Sequence, residues 1–245
     1  MLNDNKYIKE ILLSTPIEKG SYLNNLPVIK HFIDNESLPL KSNVTFFVGE
    51  NGTGKSTLLE AIAVAYGFNA EGGTKNFCFS TKNSHSDLYK HLTLVKSSFA
   101  NDGFFLRAES FYNAASYIDE LEDITPTHTY GDVSLHKQSH GESFLTLIQE
   151  RFGENSLYIL DEPESALSPM RQLTLIAHID NLIKQNSQFI IATHSPILMA
   201  FPNAEILEFS QQGIKSVDFK ETEHYKITKS FLNNPEKMLG YLLDN

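Results

Sequence analysis

The sequence predicts an α/β fold in which a mostly parallel sheet is flanked by helices and interrupted by an inserted, partly helical subdomain. Two observations predict it. Short, continuously apolar runs alternate with helix-like stretches, which is typical of parallel strands buried on both faces. The chain also has 245 residues, of which 41% are hydrophobic and 20% charged, enough for one large domain with a buried core. We therefore predict a single domain over residues 1–245.

The first strand and helix of this pattern enclose a glycine-rich turn. Residues 43–48 are mostly β-branched or aromatic, and residues 55–66 repeat apolar side chains at helical spacing. The turn between them follows the order Gly, four residues, Gly-Lys-Ser. Its nine residues are Gly49, Glu50, Asn51, Gly52, Thr53, Gly54, Lys55, Ser56 and Thr57.

Each part of this turn suits a nucleotide phosphate. The glycines at 49, 52 and 54 leave space for backbone N–H groups to surround phosphate oxygens. Lys55 can bridge the β- and γ-phosphates, and Ser56 can place its hydroxyl on Mg²⁺. The helix that begins at Lys55 directs its positive dipole end toward the anion. The turn therefore predicts binding of ATP with Mg²⁺.

Two carboxylates follow a second apolar run. Residues 157–160 read Leu-Tyr-Ile-Leu, and Asp161 and Glu162 come next, at the strand end where ligands of open α/β sheets bind. If this strand neighbours the strand before the turn, Asp161 reaches the metal held by Ser56. Glu162 then lies where it can polarise a water that attacks the γ-phosphate. The pair predicts ATP hydrolysis.

Two further segments have the same setting. Residues 188–192 form a third apolar run after a helix-like stretch, and His194 follows this run directly. Residues 139–143 read Ser-His-Gly-Glu-Ser and precede a helical pattern of apolar residues, so that Ser139 can cap this helix.

Taken together, these residues resemble the ABC-type ATPase family from about residue 43 to about residue 209. Ser139, Gly141 and Glu142 fall on the Ser, the second Gly and the Gln of the family's Leu-Ser-Gly-Gly-Gln signature, whose first Gly is replaced here by His140. The resemblance implies that this motif closes over ATP held by a second subunit, in a head-to-tail homodimer. It also implies that His194 is the switch histidine that contacts the γ-phosphate.

The sequence departs from transporter ATPases at two places. Ser168 stands where transporters carry Asp, and the strand at residues 103–107 is not followed by the family's glutamine, whose role Glu109 could take. The chain looks more like small stand-alone ATPases and those of the overcoming-lysogeny-defect and chromosome-maintenance type. Sustained heptads, which would indicate a coiled coil, are absent from the sequence between residues 56 and 139.

Three functions stay open. The first is an ATPase that drives or licenses an unidentified protein partner. The second is an ATP-gated dimer with negligible turnover, and the third is the nucleotide-binding subunit of a transporter. The presence of Glu162 favours hydrolysis over the second function.

Three other parts of the sequence carry weaker expectations. Tyr22 and Phe32 are candidates to stack on adenine, as the resemblance implies for an N-terminal aromatic residue. Residues 68–140 form the predicted insertion, with a strand at 103–107 and a helix at 111–121. The amphipathic stretch at 228–243 is expected to pack on the parent domain, and the alternative is a partner-binding helix.

Charge and composition bound the partners and the compartment. The formal net charge is −10, from 20 Lys+Arg and 30 Asp+Glu, and this field repels nucleic acid, which stays possible but unsupported. A single cysteine fits a reducing compartment. Residues 3–6 are polar, and no apolar run approaches the ~20 residues of a membrane span. We expect a cytoplasmic protein without direct membrane insertion.

Overall fold

The computed structural model describes residues 6–73, 86–107 and 140–243. Nine strands and seven α-helices lie within these ranges. The strands are β1 (Ile8–Leu13), β2 (Ser37–Pro39), β3 (Val44–Gly49), β4 (Leu92–Lys96), β5 (Asp102–Arg107), β6 (Ser156–Asp161), β7 (Gln188–Ala192), β8 (Glu205–Ser210) and β9 (Gly213–Ser216). The helices are α1 (Pro27–Asn35), α2 (Lys55–Tyr66), α3 (His140–Arg151), α4 (Pro169–Lys184), α5 (Pro196–Met199), α6 (Glu223–Asn233) and α7 (Pro235–Leu243).

The strands form two sheets. The larger sheet has the spatial order β5-β6-β7-β3-β8-β9, and all neighbours in it are parallel except β8 and β9. The smaller sheet is antiparallel, with the order β2-β1-β4. The predicted fold, a mostly parallel sheet with flanking helices, is therefore confirmed.

Both faces of the larger sheet are buried. Along β3, Phe47 belongs to one apolar cluster and Phe46 to the other, because successive side chains of a strand point to opposite faces. Leu59 of α2 lies in the first cluster, and Leu175 of α4 lies in the second. Helices therefore cover the sheet on both sides, as the continuous apolar runs predicted.

The structure corrects the place of the strand predicted at residues 103–107. The sequence predicts this strand within the insertion, but β5 is an edge strand of the larger sheet and pairs with β6. Phe104 and Phe105 belong to opposite apolar clusters, so the strand needs cover on both faces, which the main sheet supplies. The helix predicted at 111–121 lies outside the described residues, and the insertion and the single domain stay predictions.

The C-terminal stretch also differs from its prediction. It forms two helices, α6 and α7, and neither contains a buried residue. The break falls at Pro235, which begins α7, because proline cannot continue a helix through its own missing N–H. Leu232, Leu242 and Leu243 are each 70% exposed. The predicted packing of residues 228–243 on the parent domain is therefore contradicted, since most of their apolar side chains are exposed.

Candidate functional site

The phosphate loop, residues 49–57, joins β3 to α2. Gly49 and Gly54 have φ angles of 131° and 96°, in the region that favours glycine. A Cβ at Gly49 would lie 2.2 Å from the carbonyl oxygen of Phe209, and one at Gly54 would lie 2.7 Å from Cγ1 of Val28. The loop can therefore adopt this close path only with glycine at both positions. Its backbone leads into the N-terminus of α2, which favours anions.

The remaining loop residues divide into an exposed tip and a buried base. Glu50, Asn51 and Gly52 are exposed, whereas Thr53 is buried and Thr57 half-buried. Thr53 donates a hydrogen bond of 2.9 Å from its hydroxyl to the carbonyl oxygen of Glu50. This bond spans the exposed tip, residues 50–52, and holds the tip next to the start of α2.

Lys55 lies under the loop and is only 4% exposed. Its Nζ donates to the carbonyl oxygens of Gly49 and Glu50 at 2.7 and 2.9 Å. Burial lowers the pKa of Lys55, and the nearby carboxylates of Glu162 and Asp161 oppose that shift. The ammonium is thus held among oxygen atoms at the point where a phosphate would meet the loop.

Ser56 and Asp161 meet in the structure. Ser56 Oγ donates a hydrogen bond of 3.0 Å to Asp161 Oδ1. This contact was expected if β6 neighboured β3. The two strands are not neighbours, however, because β7 lies between them in the sheet. Ser56 stands in the first turn of α2 rather than at a strand end, and its hydroxyl reaches Asp161 across this gap.

Arg107 lies beside Asp161, a contact that the sequence pattern does not predict. It pairs in register with Asp161 across β5 and β6, and its Nε lies 3.7 Å from Asp161 Oδ2. Its Nη1 lies 2.8 Å from Oε2 of Glu60. The sequence feature that points to it is an arginine at the end of an apolar strand. Glu109, the candidate for the glutamine role, lies outside the described residues.

Glu162 has an unusual backbone. Its φ and ψ angles are 50° and 51°, a left-handed conformation that is uncommon for residues other than glycine. Its N–H donates to the carbonyl oxygen of Ala192 at 2.9 Å. Strained conformations of this kind cluster at functional sites. The turn directs the chain away from β6 immediately after the two carboxylates.

His194 lies beside Glu162 and between two other groups. Its Nε2 is 3.6 Å from Oε1 of Glu162, and its Nδ1 is 3.0 Å from Nε2 of His224. Its backbone N–H donates to Oε1 of Glu164. Burial lowers the pKa of His194, and the charges of Lys55 and His224 add to that shift. Burial also raises the pKa of Glu164.

The predicted signature segment lies at the start of α3. A Cβ on Gly141 would lie 2.5 Å from Nη1 of Arg171 and 2.7 Å from the carbonyl oxygen of Ala166. Oε1 of Glu142 accepts a hydrogen bond of 2.8 Å from Nη2 of Arg171. Gly141 is therefore required for close packing on the segment after β6. Ser139 lies outside the described residues, and its predicted contact with ATP stays a prediction.

The structure separates the two adenine candidates. Phe32 is 2% exposed and belongs to the core, whereas Tyr22 is 59% exposed. Only Tyr22 is therefore available to a ligand without rearrangement of the core. A cleft of about 310 Å³ opens beside the phosphate loop. Its lining includes Gly49, Thr53, Gln211, Gln212 and Glu223.

Comparison with known proteins supports the interpretation of this geometry. The family AAA_23, described as an AAA domain, matches residues 26–239. The chain belongs to this family. It is an ATPase of the ABC type, with the P-loop NTPase fold that the glycine turn indicated. Within the three described ranges, no helix has the length and apolar character needed to cross a membrane.

Individual relatives of this ATPase carry transporter names. A segment of 110 residues is 34% identical to an uncharacterized ABC transporter ATP-binding protein of Haemophilus influenzae, and covers 44% of this chain and 42% of that protein. The match thus spans less than half the length of that relative. An alignment of 212 positions with the phosphate import ATP-binding protein PstB 1 of Vibrio vulnificus shows 27% identity and covers 71% of this chain and 78% of that protein.

A solved structure overlaps almost the whole chain. It is cbiO1 from Clostridium perfringens, described as part of the ABC transporter complex cbiONQ. The overlap covers 98% of this chain and 100% of that chain, with 16% identity and a TM-score of 0.48. The family assignment depends on the sequence match over residues 26–239 and not on this overlap.

Proposed function

We propose that this ATPase binds ATP and Mg²⁺ at the phosphate loop and hydrolyses ATP with Glu162. The observation that carries the proposal is the 3.0 Å hydrogen bond between Ser56 and Asp161. It joins two motifs that lie 105 residues apart in the sequence. With the buried Lys55, the bond gathers a hydroxyl, a carboxylate and an ammonium beside the phosphate loop, the kind of grouping expected at an active site.

The donor atoms present fit Mg²⁺. Ser56 offers a hydroxyl oxygen and Asp161 a carboxylate, and Mg²⁺ is bound in such sites by one or two protein oxygens with substrate phosphates and water. Among the described residues, no group of three or more His, Cys, Asp and Glu could hold a metal alone, so ATP would supply the other ligands. When bound, the ion would neutralise charge on the phosphates.

Glu162 and His194 are proposed to act on the γ-phosphate. The side chain of Glu162 is 40% exposed, so water can reach its carboxylate and be polarised for in-line attack. Nε2 of His194 is buried without a hydrogen-bond partner among the described residues. A buried ring nitrogen of this kind calls for a partner, and in this proposal an oxygen of the γ-phosphate supplies it. Lys55 would hold the β- and γ-phosphates.

The dimer supplies the rest of the proposed site. Ser139, Gly141 and Glu142 of one copy would close over ATP bound to residues 49–57 of the other. ATP-dependent closure would drive or license an unidentified protein partner, and the net charge of −10 does not favour nucleic acid in that role. We place this activity in the cytoplasm, consistent with the single cysteine.

A second candidate function is the nucleotide-binding subunit of a transporter. It is favoured by the match to PstB 1 of Vibrio vulnificus, which covers 78% of that protein. Ser168, in the place of the aspartate usual in transporters, counts against it. Retention of the chain in a membrane fraction only when an integral membrane partner is co-expressed would favour this candidate over the first.

The substitution Glu162→Gln tests the first proposal. Loss of the carboxylate that polarises water should lower kcat at least ~100-fold, while ATP binding persists. ATP should then hold the dimer, so that the mass measured by light scattering after size-exclusion chromatography doubles with ATP and Mg²⁺. The matched control is Glu154→Gln, at an exposed glutamate in the loop before β6, which should leave turnover and mass unchanged.

Two results would contradict this proposal. Wild-type turnover no higher than that of Glu162→Gln would favour the ATP-gated dimer with negligible hydrolysis. A variant that stays monomeric at saturating ATP and Mg²⁺ would exclude the ATP-held dimer and leave the residues of the signature segment without a role in trans.

A further inference from the structure

The two ring nitrogens of His194 have different surroundings. Nδ1 lies 3.0 Å from Nε2 of His224. Nε2 is buried, has no hydrogen-bond partner within the described ranges, and lies 3.6 Å from Oε1 of Glu162. One nitrogen is therefore engaged by a second histidine, and the other faces the position proposed for the γ-phosphate.

The contact between the two rings must be a hydrogen bond with one proton. Burial lowers the pKa of both His194 and His224, and the charge of Lys55 adds to both shifts. The lowered pKa values favour the neutral form of both rings, and a neutral imidazole carries one donor and one acceptor nitrogen. Either His194 donates from Nδ1, or it accepts there and carries its proton on Nε2.

The charges around the pair select the second arrangement. A lone pair on Nε2 of His194 would face the carboxylate of Glu162, whereas an Nε2–H bond is attracted to it. The same N–H would meet an oxygen of the γ-phosphate, which also accepts. The proton of a histidine is placed by the hydrogen bond that its other nitrogen makes. His224 must then donate from Nε2 to Nδ1 of His194.

His224 is held firmly enough to do this. It stands in the first turn of α6, whose N-cap, Thr222, is fully buried. Thr222 Oγ1 accepts from the backbone N–H of Tyr225 at 3.3 Å and donates to the carbonyl oxygen of Phe219 at 2.8 Å. The rings of Phe219 and Tyr225 also pack, with centroids 4.7 Å apart. These contacts fix the backbone at the start of the helix, from which the His224 ring reaches His194.

We propose that His224 is a positioning residue for His194, which it holds in the tautomer that carries the proton on Nε2. The proposal deepens the proposed function, because it rests on contact between His194 and the γ-phosphate. His224 itself does not touch ATP in this scheme. It acts through the orientation and protonation of the neighbouring ring.

Three substitutions of His224 distinguish the hydrogen bond that it donates to His194 from the simple packing of its side chain. His224→Ala removes the donor. His224→Gln can donate from its amide to Nδ1 of His194 and should restore function. His224→Glu can only accept, so it should draw the proton of His194 to Nδ1. The matched control is His178→Ala, at a half-buried histidine of α4 outside the site.

The first readout is steady-state ATP hydrolysis. His224→Ala should lower kcat about 10-fold, the lower end of the effect of losing a histidine's outer partner in metal sites, with KM for ATP changed less than ~2-fold. His224→Glu should be at least as slow, His224→Gln should recover most of the loss, and His178→Ala should match wild type. Unchanged kcat in His224→Ala would overturn the proposal.

The second readout is the tautomer itself, from long-range ¹H–¹⁵N NMR of protein labelled in its histidine rings. His194→Ala and His224→Ala assign the signals. His194 should carry its proton on Nε2 in wild type and in His224→Gln, and on Nδ1 in His224→Glu. A proton on Nδ1 in wild type would overturn the proposal. Full activity of His194→Ala would instead refute the γ-phosphate contact, and the spectra would separate these two failures.

Discussion

The carboxyl ends of the parallel strands and the C-terminal helix pair, α6 with α7, both come from sequence with a strong pattern. They differ in how far their side chains are buried. Near these strand ends, Lys55 and Asp161 are 4% and 7% exposed. In the helix pair, Leu242 and Leu243 are each 70% exposed. A motif whose contacting residues all lie in the same domain also determines how its side chains are buried. An amphipathic pattern determines which face of a helix is apolar, but not what packs against that face.

The largest effect that would sharpen this comparison is expected from Gly49→Ala. The new Cβ would lie 2.2 Å from the carbonyl oxygen of Phe209, on a backbone with φ of 131°. Clash and strain together should lower the free energy of unfolding by about 4 kcal/mol. Thermal unfolding should then show a fall in Tm of at least ~8 °C.

Gly52→Ala is the control for this prediction. Its φ angle is also positive, at 82°, but no atom lies within 4 Å of the added Cβ. It should therefore cost only the ~1–2 kcal/mol of the left-handed conformation. Equal losses for Gly49→Ala and Gly52→Ala would mean that β3 and β8 are not as close as described.

Arg107→Met is expected to have an intermediate effect. The side chains of Glu60 and Asp161 are only 11% and 8% exposed, and each would lose a cationic neighbour. We expect a loss of about 2 kcal/mol in the free energy of unfolding, measured with urea. Arg151→Met, which removes an ion pair with the 48% exposed side chain of Asp102, should cost less than ~1 kcal/mol. The reverse order would contradict the placement of Arg107.

The smallest effect is expected in the helix pair. Leu242→Ala should change the free energy of unfolding by less than ~0.5 kcal/mol, because its side chain is already in solvent. Leu175→Ala, which empties a fully buried position of α4, should cost about 2–5 kcal/mol. Urea unfolding of both variants measures this contrast. A large loss at Leu242 would show that part of the chain or a second copy covers α7.

Local signals predicted much of the fold. α2 begins and ends at the residues expected from helical spacing, Lys55 and Tyr66, and β7 spans the apolar run at 188–192. These predictions succeeded because strand and helix periods, and the glycines required by a tight turn, are written in adjacent residues. The grouping of Ser56 with Asp161 was also anticipated, although their roles toward Mg²⁺ stay predictions.

Contacts between distant segments could not be predicted in this way. The order of strands in the sheet, with β7 between β3 and β6, depends on how crossovers pack and not on the residues of one strand. Arg107 meets Asp161 only because β5 pairs with β6. His224 approaches His194 from 30 residues further along the chain, and no spacing rule connects a helix start to a strand end.

The position of β7 also sets the distance between the ends of β3 and β6. Neighbouring strands lie about 4.8 Å apart, so the ends of β3 and β6 are roughly 10 Å apart across β7. His194 follows the middle strand, with the phosphate loop on one side and the carboxylates on the other. The middle strand thus acts as a spacer that keeps the phosphate loop and the two carboxylates one strand apart.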